Sequence, residues 1–249
     1  MWFFNMVKYD YKYLYNKLTM QKINLNQVTL VIPTYNSENT IENTLNSVCK
    51  YFNKIIIVDA DSSDLTIKIS KKYKATIIKS IKGRGSQLLL GANNVSSDWI
   101  FFLHADTVLN RKNIIEIRKF ISNNLNNYKA AAFKVKFNKK HIWSYLLGKI
   151  VNIRSKYLKL PYGDQGLLIS KEFYIKIGGY KSIPIMEDVE IIKGIGFRNI
   201  KILDSYIITD AIRFEKQGWL FRSIINLYCL FLYFIGFNIN KINRIYLRK

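Results

Sequence analysis

An α/β fold with a mostly parallel sheet flanked by helices is the architecture that this chain predicts, on three observations. Short runs of branched and aromatic residues recur through the first half. Apolar residues at helical spacing separate those runs, and polar clusters close nearly all of them. Strands alternating with helices at this pitch make parallel βαβ units, whose strands read as unbroken apolar runs because both sheet faces are covered.

Taken in order, Val28–Ile32 (VTLVI) is the first predicted strand, and Pro33 stops it. Ser37 is a helix cap, and Ile41, Leu45 and Val48 share one face of the helix that follows. Ile55–Val58 is a second buried strand closed by Asp59, and Asp64–Lys72 a short helix. Ala75–Ile78 is the third strand, and Ser86–Asn93 a helix with Leu88, Leu89 and Ala92 as its apolar positions. Trp99–Leu103 is the fourth strand, and Ile114, Ile117, Arg118 and Ile121 return to helical spacing. The second half is less regular. Ala130–Phe137 and Leu167–Ser170 read as strands, His141–Tyr157 as a helix, and further helices start at Lys171 and at Asp188. Short strands are expected at Ile200–Leu203 and Tyr206–Thr209. With no internal repeat and no clear linker, a single domain over residues 26–218 is expected, after an extension (1–25) and before an apolar, basic tail (219–249).

Composition bounds the class. A hydrophobic share of 49% is too high for a disordered chain, and 249 residues are ample for a sizeable core. Lys+Arg 39 against Asp+Glu 17 gives a net charge of +22. Lys, Asn, Ile and Tyr are abundant together, so a compositional bias accounts for the lysine excess without a nucleic-acid partner; an anionic membrane surface or anionic substrate is the other source of such a field. Cys49 and Cys229 are too few for a disulfide framework or a cysteine-rich zinc site, which favours a reducing, cytoplasmic setting. Residues 1–20 are aromatic and basic without the pattern of a signal peptide, and read as an extension or a membrane-touching arm. Ser223–Asn240 carries no charge and approaches the length of a membrane span. Arg222, Asn226, Tyr233, Gly236 and Asn240 fall along one helical stripe of it, so spanning, lying on a membrane and packing on the domain all stay open.

Ligands of open α/β sheets bind beyond the carboxyl ends of the strands, and four polar clusters of this chain fall there. Pro33-Thr34-Tyr35-Asn36 follows the first strand, and Asp59-Ala60-Asp61-Ser62-Ser63-Asp64 the second. Gly83-Arg84-Gly85-Ser86-Gln87 follows the third, and His104-Ala105-Asp106-Thr107 the fourth. Asp59 and Asp61 can accept hydrogen bonds from a base or ribose. Arg84 offers a fork of donors to a phosphate, beside a helix start whose N–H groups suit an anion. Gly83 and Gly85 allow a close backbone approach. Asp106 is a hard oxygen ligand for Mg2+ or Mn2+, and His104 can reach the same cation or a diphosphate.

The clusters PTYN, VDADSSD, GRGSQ and FLHADT, followed by YGDQG and MEDVE, come in the order seen in family 2 glycosyltransferases of the GT-A fold. FLHADT and GRGSQ look most like the small bacterial branch called transferase 2. The resemblance covers roughly residues 26–220. It implies a GT-A-type, Rossmann-like sheet and inverting transfer of a sugar from a nucleotide-diphosphate donor to an unknown lipid or glycan acceptor. It puts Pro33, Thr34, Tyr35, Asn36, Asp59, Asp61, Arg84, Gln87, His104, Ala105, Asp106 and Arg213 on the nucleotide sugar. Gly163, Asp164, Gln165 and Glu187 would lie on the acceptor side, and Asp188 would be the base, with Asp164 its rival. Arg213, followed by Trp219, resembles a late Arg/Trp element that closes over the diphosphate. The chain departs from the family in its metal motif, where His104-Ala105-Asp106 replaces Asp-x-Asp and leaves Asp106 as the one carboxylate of the motif. A peripheral place at the inner face of the membrane is expected. Two other classes compete with this reading. A basic nucleic-acid-binding protein has no use for carboxylates at strand ends, and a sugar nucleotidyltransferase would carry a Gly-rich basic loop after its first strand.

Overall fold

The computed structural model describes residues 25–247; the amino-terminal aromatic stretch lies outside them. Among the described residues eight strands form one sheet. In chain order they are β1 (Val28–Thr34), β2 (Lys54–Asp59), β3 (Thr76–Lys79), β4 (Trp99–Phe102), β5 (Thr107–Val108), β6 (Ala130–Phe137), β7 (Leu167–Ser170) and β8 (Ile200–Thr209). Their spatial order is β3-β2-β1-β4-β7-β6-β8-β5. The first four are mutually parallel, and β6 runs parallel to β8. β7 is antiparallel to β4 and β6, and β5 to β8. The helices between them are α1 (Glu38–Val48), α2 (Thr66–Lys72), α3 (Arg84–Asn93), α4 (Arg111–Ile121), α5 (Ile142–Leu158), α6 (Lys171–Lys176) and α7 (Glu187–Ile195). After β8 come α8 (Ile212–Gln217), α9 (Trp219–Phe234) and α10 (Ile239–Leu247).

The unbroken apolar strands are covered on both faces, as expected. Leu30 and Ile32 of β1 pack into a core with Ile41, Leu45 and Ile114, while Val31 between them packs on the other face with Leu88 and Ala92. A third cluster joins Ile185, Met186 and Val189 to Cys229, Leu232 and Ile242 of the last two helices.

Several boundaries differ from the sequence reading. β1 runs through Pro33 to Thr34. Leu103 donates to the carbonyl of Val31, so residue 33 points its missing N–H to the same side, where pairing with β4 has already ended. Ser37 makes no side-chain cap bond to α1. The N–H of Glu38 is instead taken by Asp64 Oδ2 at 2.9 Å, and Glu38 Oε2 accepts from Leu65 at 3.0 Å. Two neighbouring helices thus cap each other through tertiary contact. The two short strands expected near residue 205 are one ten-residue strand, β8, which pairs with β6 across an irregularity between Ala132 and Lys134. The tail is two helices rather than one, broken at Gly236, whose φ is 79°. Arg222 on its polar stripe faces inward at 1% exposure. No helix among the described residues is long and apolar enough to cross a membrane.

Candidate active site

Topology brings the polar clusters to one edge. The ends of β1, β2, β3 and β4 lie there because the four are parallel. β7 runs the other way, with Leu167 opposite Phe102, so the turn that precedes it, Gly163–Gln165, arrives at the same edge. β5 and β8 pair Thr107 with Thr209, and the next step of that ladder sets Asp106 beside Asp210.

At the first two strand ends most of the expected ligand-binding groups hold the loops. Asp59 is fully buried and accepts from Thr34 Oγ1 and Ser62 Oγ, each at 2.7 Å, and from the Ser62 N–H at 2.8 Å. Gln87 sends its amide nitrogen to the carbonyls of Thr34 and Val58, at 2.8 and 2.7 Å, and so clamps β1 to β2. Asn36, in a left-handed conformation, receives the N–H of Ser63. Tyr35, Asn36 and Asp61 are the exposed members, and Lys82 sits 3.9 Å over the Tyr35 ring. Gly85 lets the chain come close, as read from sequence, but to itself. A methyl there would stand 2.3 Å from the carbonyl oxygen of Lys181.

The centre of the site is a narrow cleft lined by Arg84, His104, Gly163, Tyr180, Glu187 and Asp188, among others. Met186, at φ 64°, turns the chain sharply into α7, and the next two residues diverge. Glu187 goes inward, 3% exposed, where its Oε1 stands 3.4 Å from Arg84 Nη1. The expectation for Glu187 is a place on the acceptor side, and it lines the same cleft as Gly163. Asp188 is half-buried and opens on the cleft; its Oδ2 accepts from the Gly163 N–H at 3.2 Å and its Oδ1 from the Val189 N–H at 2.8 Å. Burial pushes the Glu187 carboxyl up to about 7, against the pull of Arg84 and with the push of Asp188. For Arg84, burial favours the neutral form, but Glu187, Tyr246, Asp188 and Asp106 outweigh it and hold the guanidinium charged. His104 is driven down to about 3 by burial and by Arg84, so it is a neutral imidazole. Its Nε2 lies where a methyl on Gly163 would come within 2.6 Å, which is why that turn needs a glycine.

Ala105 is buried beside Asp106. Burial raises the Asp106 carboxyl; Arg84 lowers it and Asp210 raises it again. Thr107 and Thr209 donate to its Oδ1 only weakly, at 3.3 and 3.5 Å. Asp164 is also raised by burial, with Arg154 opposing and Asp188 adding. Gln165 is fully buried and structural, bound to Phe133 and Ser155. Arg213 reaches the Tyr246 hydroxyl at 2.7 Å, and the Arg222 guanidinium lies 3.9 Å from the centroid of the same ring. Burial lowers Arg213; Tyr246 opposes this, while the nearby charges of Arg222 and Arg84 add to it.

Three residues here escaped the sequence reading. Asp210 could have been found by extending the strand before it against His104-Ala105-Asp106. Tyr180 and Tyr246 carried no local signal. Among the described residues no three His, Cys, Asp or Glu side chains gather into a protein-only metal site. Asp106 with Asp210 suits instead a Mg2+ or Mn2+ ion completed by phosphate and water, which is how these hard cations are commonly held.

Relatives and solved structures agree with this architecture. The O-antigen chain rhamnosyltransferase RfbN of Salmonella typhimurium is 31% identical over 91 residues, 33% of this chain and 29% of its own length. An uncharacterized glycosyltransferase of Rickettsia conorii is 29% identical over 118 residues, 47% of this chain and 42% of its own. The chain thus spans less than half the length of these curated relatives. Among solved structures, Staphylococcus aureus TarS matches with a TM-score of 0.58 at 16% identity, covering 88% of this chain and 69% of that one. The mannosyltransferase PcManGT of Pyrobaculum calidifontis, in complex with GDP-Man and Mn2+, matches at 0.59 and 14%, covering 88% and 67%. Identities this low speak for the fold alone. The sequence model of glycosyl transferase family 2 matches residues 29–181, and with more than half of its 249 residues so matched the chain is a member of that family.

Proposed function

We propose that this protein transfers a sugar, with inversion, from a nucleotide-diphosphate donor to an acceptor hydroxyl, and that Asp188 is the base. The observation that carries this reading is the pairing, across one cleft, of a half-buried carboxylate fixed by the Gly163 N–H and a guanidinium held charged by its neighbours. Asp188 takes the proton of the acceptor hydroxyl. The oxygen attacks the anomeric carbon from the face opposite the diphosphate, and the bond from that carbon to the phosphate oxygen breaks. Arg84, joined by Arg213, binds the leaving diphosphate and offsets its growing charge. Glu187 orients Arg84 from beneath, and Tyr35 is exposed where a base could stack. Neutral His104 walls the cleft. A divalent cation would be held by Asp106 with Asp210; when bound it supplies charge neutralisation to the diphosphate. Donor complexes of fold neighbours, UDP-GlcNAc in TarS and GDP-Man with Mn2+ in PcManGT, support a donor of this class. The apolar outer face of α9 and the charge of +22 support peripheral attachment at the inner face of a membrane.

Asp188→Asn is expected to keep donor binding, read by calorimetric titration, and to lose transfer by about 10²–10⁴-fold. Normal transfer by Asp188→Asn together with loss in Asp164→Asn would exchange the two roles.

A further inference from the structure

α5 is built inside out. Its inward face is Ser144, Gly148, Val151 and Ser155, small residues that let it lie close on β6. Asn152 pins it there with two bonds to the Val135 backbone, at 2.8 and 2.9 Å. Its outward face carries the large apolar residues: Ile142, Leu146, Ile150, Ile153 and Tyr157, at i, i+4, i+8, i+11 and i+15, are all exposed, with Ile150 at 63% and Tyr157 at 69%. An ordinary surface helix has the opposite polarity. Exposed Lys149 and Lys156 flank the stripe and lie over the rings of Tyr145 and Tyr157. The patch continues toward the tail, because His141 before α5 stacks on Trp219 at the start of α9, 6.0 Å between centroids. α9 in turn exposes Leu220, Ile224, Leu227 and Phe231.

We propose that α5 docks by this stripe on an anionic lipid bilayer. Apolar residues on one side of a helix, edged by lysine and aromatic rings, gain from burial in the acyl boundary and from attraction to acidic headgroups together. Charge decides between a bilayer and a second copy of the chain. Two molecules of net charge +22 meeting through lysine-edged faces repel, whereas an anionic surface attracts. The docking also has a consequence for the site, which rests on the glycosyltransferase reading. Ser155 of α5 holds Gln165 at 2.6 Å and Arg154 holds the carbonyl of Leu160 at 3.0 Å, so the acceptor-side turn rides on this helix. An acceptor borne by a lipid would meet Asp188 there.

The test is sedimentation of the full-length protein with vesicles of phosphatidylglycerol in phosphatidylcholine, and with phosphatidylcholine alone, at low and high salt. The wild type should partition to the acidic vesicles and be released by salt, and Ile150→Glu/Ile153→Glu should lower partition at least about tenfold. Both positions are exposed, so the melting temperature should hold. Trp143 is exposed on the first turn of α5, and quenching of its fluorescence by brominated lipid, lost in Trp143→Phe, gives a readout that needs no glutamate variant. Partition of the double variant equal to wild type, or no quenching of Trp143, would overturn the proposal. A wild-type dimer by light scattering that the double variant abolishes, with no lipid binding by either, would overturn it in favour of a contact between copies. Thermal stabilisation by UDP or GDP with Mn2+ is expected in wild type and variant alike. Its absence from both, beside α5-dependent lipid binding, would sink the donor reading and leave the docking standing.

Discussion

Glu187 and Asp188 are chemical near-twins, adjacent in sequence and separated by environment. One is sealed against Arg84 and the other opens on the cleft. Sealing has a thermodynamic signature. A carboxyl whose native pKa is raised from 4.5 to about 7 binds more protons folded than unfolded between those values. Stability is therefore greatest below the unfolded value and falls as pH rises through about 7, with a slope of at most about 1.4 kcal/mol per pH unit. Glu187→Gln should flatten that slope in urea titrations from pH 4.5 to 8, and should weaken donor binding by freeing Arg84. A slope unchanged by the substitution would show that Glu187 does not titrate in this range. Asp106 makes a different prediction. With only weak hydroxyl donors on its Oδ1, its capacity is left for a cation. Mn2+ should strengthen binding of a nucleotide diphosphate to the wild type and not to Asp106→Ala; equal affinities with and without Mn2+ in both proteins would refute the assignment.

Among elements, the first two βα turns work as one. Asp64, from the turn after β2, caps α1, and also accepts from Thr66 at 3.0 Å at the start of its own helix. Burial alone would raise its carboxyl, but the bonds from Thr66 and Glu38 prevail and lower it. Asp64→Ala should cost about 1 kcal/mol at neutral pH by urea denaturation, the usual worth of a cap. For a depressed carboxylate the contribution is present above the unfolded value of 3.8 and is lost as pH falls through the native one. The difference between variant and wild type should therefore shrink in acid.

At the scale of the molecule, α9 and α10 are not an appendage. Cys229, Leu232 and Ile242 pack on Ile185, Met186 and Val189, which surround the start of α7. Tyr233 donates to Glu190 of the same helix, and Tyr246 sits against Arg213 and Arg222. Ile242 is fully buried, so Ile242→Ala should cost about 2–5 kcal/mol in a single unfolding transition that includes the tail. Two resolved transitions would make the tail a separate unit. Cutting the chain after Gly218 should likewise uncover the carboxylate-bearing helix and lower the melting temperature, rather than release an independent anchor.

The strands and most helices could be read from residue order because their cause is local. WIFF is apolar along its whole length and VTLVI at every position but Thr29, and that pattern specifies burial on both faces wherever they pair. The polar clusters at the strand ends were legible for the same reason, and with them the edge of the sheet where the candidate cleft lies. What a side chain does there was decided by folding. Asp59 and Gln87 look like ligand-binding groups in the sequence, yet they meet Thr34, Ser62 and two strand carbonyls first. Glu187 and Asp188 diverge because Met186 takes a left-handed turn, and Asp210 joins Asp106 only through pairing of β5 with β8. α5 carries a helical pattern whose period is plain but whose inward side is not. Periodicity tells which residues share a face, while close approach to β6 selected the small-residue face as the buried one. Contacts between residues far apart in the chain carry no local signature, and these are the contacts that turn a row of polar loops into a cleft with one buried and one open carboxylate.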